Sequence, residues 1–169
     1  MIILETERLL LRKISTDDAE FMLQLLNEPS FIQNIGDRGV RTLEDANAYI
    51  LNGPAASYSR NGFGLYLVLL KETNEPIGIC GLVKRVGLDD VDIGYAFLPK
   101  FWSKGFAFES ARAVKDYAKN VVGLRRIVAI TDPANAGSIR VVEKLGLRFE
   151  RMIRLSEDDI ELRLYAVEL

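Results

Sequence analysis

The sequence predicts a single α+β domain, and two observations support this. The chain has 169 residues, of which 49% are hydrophobic, enough to bury one core without metal or disulfide help. Apolar residues recur with a period of two in some segments and of three to four in others, with no repeat or linker between them. The predicted strands cover residues 4–14, 63–70, 76–86, 91–98, 126–131, 147–154 and 161–167. The predicted helices cover residues 15–26, 42–60, 103–121 and 135–145.

The N-terminal third is predicted to be one strand followed by helices. Residues 4–14 are rich in Leu and Ile, which is typical of a strand. Ser15 or Thr16 caps the first helix, since three acidic residues follow in the turn where the helix dipole favours them. Residues 27–40 show no clear period and are predicted to be a loop or a short broken helix. The second helix is interrupted around Gly53-Pro54, because proline removes a backbone donor.

The central segment is predicted to be a hairpin, then a strand, then a loop and a long helix. The turn Glu72–Glu75 separates the two hairpin strands. The next strand ends at Leu98, since Pro99 cannot donate to a ladder. A helix is expected to begin near Ser103. Its apolar face has helical spacing: Ala107, Ala111, Val114, Ala118 and Val121.

The composition excludes several classes of function. The formal net charge is −2, so we expect neither a nucleic-acid partner nor an anionic membrane surface. Histidine is missing, which removes imidazole bases and nearly all common zinc sites, and we expect no metal. The only cysteine, Cys80, lies in an apolar run and is interpreted as a core residue, with a reactive thiol as the alternative. We find no signal peptide and no apolar run long enough for a membrane span, so a cytoplasmic location is expected.

The loop before the third helix is predicted to bind an anion. The first N–H groups of a helix have no intrahelical partners and carry partial positive charge. Gly105 and Ala107 leave room for a phosphate to approach the backbone, and Lys104 adds a cation. A glycine at a strand-to-helix turn can also serve packing alone, so this loop by itself is weak evidence.

Two motifs resemble the GNAT-type N-acetyltransferases. The segment WSKGFAFES is similar to their pyrophosphate loop, with Trp102 in place of the usual leading Gln or Arg. The segment from Asn135 to Leu147 resembles the second family signature, N-x-x-S-x-x-V-x-E-K-L-G-F, with Leu147 where Phe is usual. With LETERLLLR near the start, the resemblance covers essentially all of residues 1–169, and its wording is closest to the ribosomal-protein N-terminal acetyltransferase branch.

The resemblance implies a fold and a cofactor. It implies a mixed, mostly antiparallel sheet of about seven strands, splayed in the middle and flanked by about four helices. Acetyl-CoA would enter the splay, with its pantetheine arm paired to the backbone of Phe97 and Leu98. Asn135 could both cap its helix and bind a pantetheine amide, and Ser138 lies on the same helix face. The pyrophosphate would bind the N–H groups of Ser103, Lys104, Gly105, Phe106, Ala107 and Phe108.

The resemblance also implies direct acyl transfer to an amine, with catalytic residues that differ from many relatives. Those relatives place a tyrosine where this chain has Val142. In the ribosomal-protein branch, residues matching Ser138 and Glu157 are the proposed acid and base. Asp92 is a rival base, since its strand leads into the site; the alternative is a surface-facing strand residue. Tyr95 could polarise the carbonyl, or it could be a core tyrosine.

The acceptor and the assembly stay open at the level of sequence. The expected partners are acetyl-CoA and a primary amine, either the α-amine of a protein N-terminus or a small molecule. The chain could act as a monomer or a homodimer. A non-catalytic acyl-CoA-binding module is the main alternative, because Val142 cannot donate a proton. A nucleotide-binding protein is disfavoured, because no phosphate-loop lysine motif or paired glycine fingerprint is present.

Overall fold

The computed structural model describes residues 2–169 and contains a single eight-stranded sheet. The strands are β1 (Ile2–Glu5), β2 (Leu9–Lys13), β3 (Leu65–Leu70), β4 (Pro76–Val83), β5 (Asp92–Phe97), β6 (Arg126–Thr131), β7 (Arg148–Ile153) and β8 (Leu162–Glu168). Their spatial order is β1-β2-β3-β4-β5-β6-β8-β7. All neighbours are antiparallel except β5 and β6, which confirms the predicted mixed, mostly antiparallel α+β fold.

Within residues 2–169, six α-helical segments flank the sheet. They are α1 (Ala19–Leu26), α2 (Pro29–Asn34), α3 (Leu43–Ile50), α4 (Ala56–Asn61), α5 (Phe106–Tyr117) and α6 (Ala136–Lys144). A π-helical turn, Leu51–Ala55, joins α3 to α4 at the predicted interruption around Pro54. The helix α2 lies within residues 27–40, so of the two predicted alternatives the short broken helix is confirmed. None of the helices within residues 2–169 combines the length and apolar character needed to span a bilayer.

The predicted first strand is in fact two strands, which is why the sheet has eight. Residues 4–14 were expected to run straight, but Thr6 turns the chain into the hairpin β1–β2. Its backbone N–H donates to the C=O of Leu9 at 2.9 Å, and its Oγ1 accepts from the Leu9 N–H at 3.0 Å. The turn lacks Gly, Pro, Asn and Asp, so the usual sequence signals of a hairpin are missing.

The sheet parts between β5 and β6. These parallel strands are paired only where Asp92 lies opposite Val128, with the Val128 N–H donating to the Val91 C=O at 3.0 Å. Beyond that point β6 continues beside β8, while β5 continues beside β4. The predicted splay is therefore confirmed, and it lies between the strand before the loop and the strand after α5.

Apolar side chains fill both faces of the sheet. Between the sheet and α5 and α6, the largest cluster includes Cys80, which is fully buried as predicted. A second cluster lies between the opposite face and α1 to α3. A small third cluster lies beside β6 and β8 and comprises Val128, Ile153, Leu164 and Ala166.

The helix α5 begins three residues later than predicted. Ser103 has φ of 60° and Gly105 has φ of 83°, so both lie in the left-handed region and cannot continue a right-handed helix. Of the predicted apolar face, Ala111, Val114 and Ala118 are buried, whereas Val121 is 69% exposed in a π-helical turn.

Candidate active site

The splay leaves backbone groups of β5 directed at an opening in the sheet. The Leu98 N–H donates to the Ile77 C=O at 3.0 Å, so Leu98 faces β4. The Val91 C=O instead accepts from Val128 and faces β6. Because successive residues of an antiparallel strand direct their backbone groups to opposite sides, Tyr95 and Phe97 share the direction of Val91. Their backbone groups therefore point into the opening, where β6 has moved away.

This geometry separates the two backbone positions predicted to bind pantetheine. The Phe97 N–H points into the opening, whereas its C=O accepts from the indole N–H of Trp102 at 2.9 Å. The Leu98 C=O accepts from the Phe101 N–H at 2.9 Å, so both of its backbone groups are engaged elsewhere. The Tyr95 backbone, in contrast, points into the opening. The sequence alone cannot show these directions. The alternation of apolar residues does not tell which backbone groups of β5 face β4 and which face β6.

The loop before α5 turns sharply into the helix N-terminus. Ser103 and Gly105, on either side of the exposed Lys104, both have left-handed backbones. The first hydrogen bond of α5 runs from the Glu109 N–H to the Gly105 C=O at 3.0 Å. The N–H groups of residues 106–108 therefore precede the helical ladder. The Phe106 side chain is buried in the core, so only its backbone is available to the loop.

Ser138 and Tyr95 are brought together beside the opening. Asn135 caps α6, with its Oδ1 accepting from the Ser138 N–H at 3.2 Å, as predicted. The Ser138 Oγ lies 2.9 Å from the phenolic oxygen of Tyr95, which also donates to the Ser138 C=O at 3.2 Å. Burial raises the pKa of Tyr95 to about 12, so the phenol keeps its proton at neutral pH. Val142 is 1% exposed, which makes it a core residue of α6.

Asp92 is not the solvent-facing strand residue that one alternative predicted. Its side chain is 1% exposed, and the Arg85 Nε donates to its Oδ2 at 2.5 Å. Burial raises the pKa of Asp92 to about 6, although the charge and hydrogen bond of Arg85 oppose the rise. Asp92 also forms the last pair between β5 and β6, so it marks the base of the opening.

The last predicted catalytic residue, Glu157, lies at the surface. It lies in the exposed turn between β7 and β8, where the Asp159 N–H donates to the Ser156 C=O at 3.2 Å. Among residues 2–169, no hydrogen bond or ion pair joins Glu157 to Ser138 or Asp92. The same part of the chain contains no group of three or more Cys, His, Asp or Glu side chains placed to hold a metal.

Comparison with known proteins identifies the family. The sequence model of the acetyltransferase (GNAT) domain matches residues 8–148. The chain belongs to the GNAT acetyltransferase family. The uncharacterized N-acetyltransferase YnaD of Bacillus subtilis is 30% identical over 145 residues, which cover 86% of this chain and 82% of that protein. The uncharacterized protein YkkB of the same organism is 31% identical over 154 residues, covering 89% and 88%.

Solved structures of acetyltransferases share the fold. An acetyltransferase of Bacillus anthracis is 30% identical with a TM-score of 0.80, covering 99% of this chain and 98% of that one. RimL, a ribosomal L7/L12 alpha-N-protein acetyltransferase solved with coenzyme A, has a TM-score of 0.85 at 21% identity, covering 100% and 98%. At 21% identity, the likeness to RimL establishes only the fold of this chain.

Proposed function

We propose that this GNAT protein transfers an acetyl group from acetyl-CoA to a primary amine, by direct attack in a ternary complex. The observation that supports the proposal most strongly is the opening between β5 and β6, which leads to the loop before α5. One end of this opening offers unpaired strand groups, and the other offers a helix N-terminus. A pantetheine arm carries amides and ends in a diphosphate, so its chemistry matches the two ends in that order.

The residues present fit this cofactor. The Phe97 N–H and the Tyr95 backbone would pair with the pantetheine amides, as an added strand pairs with an exposed edge. The N–H groups of residues 103–108 would hold the diphosphate, with Lys104 supplying a positive side chain. Asn135 uses its Oδ1 for the cap, which leaves its amide N–H groups to donate to the ligand.

Bound acetyl-CoA supplies an activated thioester carbonyl and a thiolate leaving group. We assign Ser138 as the group that donates a proton to the leaving sulfur, since Val142 has no proton to give. The phenol of Tyr95 can donate either to the Ser138 C=O or to the Ser138 Oγ, because both lie within hydrogen-bonding distance. In the second arrangement the Ser138 O–H is released from Tyr95 and is free to donate.

The acceptor is proposed to be an α-amine, of a protein N-terminus or of a small molecule. An α-amine with a pKa near 8 costs about 1.4 kcal/mol to deprotonate at pH 7, whereas a lysine amine with a pKa near 10.4 costs about 4.6 kcal/mol. A site without histidine suits the smaller cost. Asp92, at the base of the opening, or Glu157, in its exposed turn, would act as the base. Action as a monomer or homodimer in the cytoplasm completes the proposal.

Binding of coenzyme A to an Ala107→Glu variant tests the placement of the site. Ala107 lies in the first turn of α5, where a carboxylate stabilises the helix but repels a diphosphate. Ala107→Gln has the same length without the charge and is the matched control. Gly105 is a poorer choice, because φ there is 83° and an added Cβ would lie 3.3 Å from Arg8 Nη2. We expect calorimetry to show that Glu weakens coenzyme A binding about tenfold relative to Gln.

A second measurement separates catalysis from binding alone. Release of free thiol from acetyl-CoA is followed over a panel of N-terminal peptides and small amines. Turnover with any α-amine supports the proposed transferase. Tight coenzyme A binding without turnover over the whole panel would instead establish the acyl-CoA-binding module, which the buried Val142 favours. Equal affinity of the Glu and Gln variants would contradict the placement of the diphosphate.

A further inference from the structure

The turn between β1 and β2 contacts the loop and first turn of α5, although about 100 residues separate them in sequence. Arg8 makes most of these contacts. Its Nε donates to the Glu109 Oε1 at 2.7 Å, and its backbone N–H donates to the Glu109 Oε2 at 3.1 Å. The Thr6 Oγ1 donates to the same Oε2 at 2.6 Å. The guanidinium also lies over the Phe106 ring, 4.4 Å from its centroid.

One further contact reaches the loop itself. The Arg8 Nη1 donates to the C=O of Lys104 at 3.0 Å. A trans peptide is planar, so the Lys104 C=O and the Gly105 N–H point in opposite directions. By holding the carbonyl, Arg8 turns the Gly105 N–H away from the hairpin. The loop is helped by such a contact, because Ser103 has a left-handed backbone that a residue other than glycine populates poorly.

Glu109 has a second effect on the same site. A carboxylate in the first turn of α5 would repel a bound phosphate if its charge were directed at the loop. Burial alone would raise the pKa of Glu109, but the hydrogen bonds from Thr6 and Arg8 lower it overall, so the group stays ionised. The same bonds direct both of its oxygens toward the hairpin, and the positive charge of Arg8 offsets its own.

We propose that Arg8, held by Glu109, is a positioning residue. It positions the loop before α5, which would bind the diphosphate of coenzyme A. It acts from behind the loop, through the Lys104 peptide, and does not itself touch the cofactor. This inference rests on the proposed function. It predicts that Arg8 matters for ligands that carry the diphosphate and not for the pantetheine part alone.

The experiment measures ligand binding by Arg8→Met. Calorimetry gives the Kd of coenzyme A, and the shift in melting temperature of each variant at millimolar pantetheine reports binding without the diphosphate. We expect Arg8→Met to weaken coenzyme A binding about tenfold, since two hydrogen bonds that order the loop are lost. The shift in melting temperature caused by pantetheine should be the same as in the protein without the substitution.

Two further variants exclude a general loss of structure. Lys71→Met removes a similar contact of the same hairpin, to the Glu5 carboxylate at 2.7 Å and the Thr6 C=O at 2.9 Å, without touching residues 104–109. It should bind coenzyme A normally. Arg8→Lys keeps the positive charge but cannot reach both Glu109 and the Lys104 C=O, so it should also lose affinity while folding well.

The outcomes are distinguishable. Loss of coenzyme A affinity in both Arg8 variants, with pantetheine binding kept, supports the positioning role. Unchanged coenzyme A affinity in Arg8→Lys, or equal loss for both ligands, overturns it. If the protein without any substitution binds no coenzyme A at all, that result would instead contradict the proposed function itself.

Discussion

The phenolic oxygen of Tyr95 lies 2.9 Å from the hydroxyl of Ser138 and joins β5 to α6 beside the opening of the sheet. Each partner comes from one side of the region where the cofactor is proposed to bind. Tyr95 is a strand residue on the same sheet face as Cys80, and Ser138 belongs to the capped first turn of α6. The pair brings two hydroxyl groups together in a site that has no histidine.

Tyr95→Phe should lower kcat without changing the KM for acetyl-CoA. The ring still fills its place in the core, but the Ser138 hydroxyl loses the partner that orients it, and we expect a fall in kcat of about tenfold. Tyr66→Phe is the matched control. Tyr66 pairs with Cys80 on the other side and is 1% exposed, so it tests removal of a phenol from the same row of side chains. Steady-state kinetics of both variants would decide; equal effects would show that the fall in kcat reflects packing alone.

Ser138→Ala should reduce kcat by about a hundredfold, because a proton donor is lost from the site. The backbone N–H of residue 138 still donates to Asn135, so α6 keeps its cap. Adding Tyr95→Phe to this variant should have no further effect, since Tyr95 would have no hydroxyl left to orient. Single-turnover rates of the single and double variants provide the measurement. If the two losses multiply, the two residues act independently and the proposed coupling is wrong.

The coupling of Tyr95 to Ser138 could not be predicted from the sequence. The sequence showed that Asn135 caps α6, since that contact is local and has a recognisable pattern. Tyr95 and Ser138 are 43 residues apart, and their contact depends on how α6 packs over β5. Asp92 was misjudged as solvent-facing in one alternative for a similar reason, because its partner Arg85 lies in the irregular segment before β5.

The fold was predicted well where signals are local and poorly where tertiary contacts decide. The hairpin β3–β4 and the boundaries of β6 follow from alternation and turn residues. The β1–β2 turn was missed because Thr6 is held partly by Glu109. This contact is tertiary and leaves no signal in the sequence of residues 4–14. The predicted start of α5 was too early, since serine is not a residue type that signals a left-handed backbone, yet Ser103 has one.

Asn135→Ala should destabilise the protein by about 1 kcal/mol, because the Ser138 N–H loses its cap. Asn135→Asp keeps an acceptor at the same position and should unfold at nearly the unchanged urea concentration. The Asp variant removes the amide donors, so its affinity for coenzyme A should still fall. Urea unfolding and calorimetry on the same two variants separate the roles. Normal coenzyme A binding by Asn135→Asp would leave Asn135 with the capping role alone.

Asp92 should make the stability of the protein depend on pH in a direction opposite to most carboxylates. Burial raises the pKa of Asp92 to about 6, whereas its ordinary value is 3.8. Between these values the folded protein holds a proton that the unfolded chain has lost, so the contribution of Asp92 to stability falls as pH rises from about 4 to 6 and is constant above that. Asp92→Asn does not titrate. The free energy of unfolding of the unchanged protein, measured relative to Asp92→Asn by urea denaturation, should therefore decrease by on the order of 2–3 kcal/mol over this interval. A difference that is flat or rises with pH would show that the Arg85 guanidinium keeps Asp92 ionised throughout, and Asp92 would then be a structural ion pair with no proton to exchange near neutral pH.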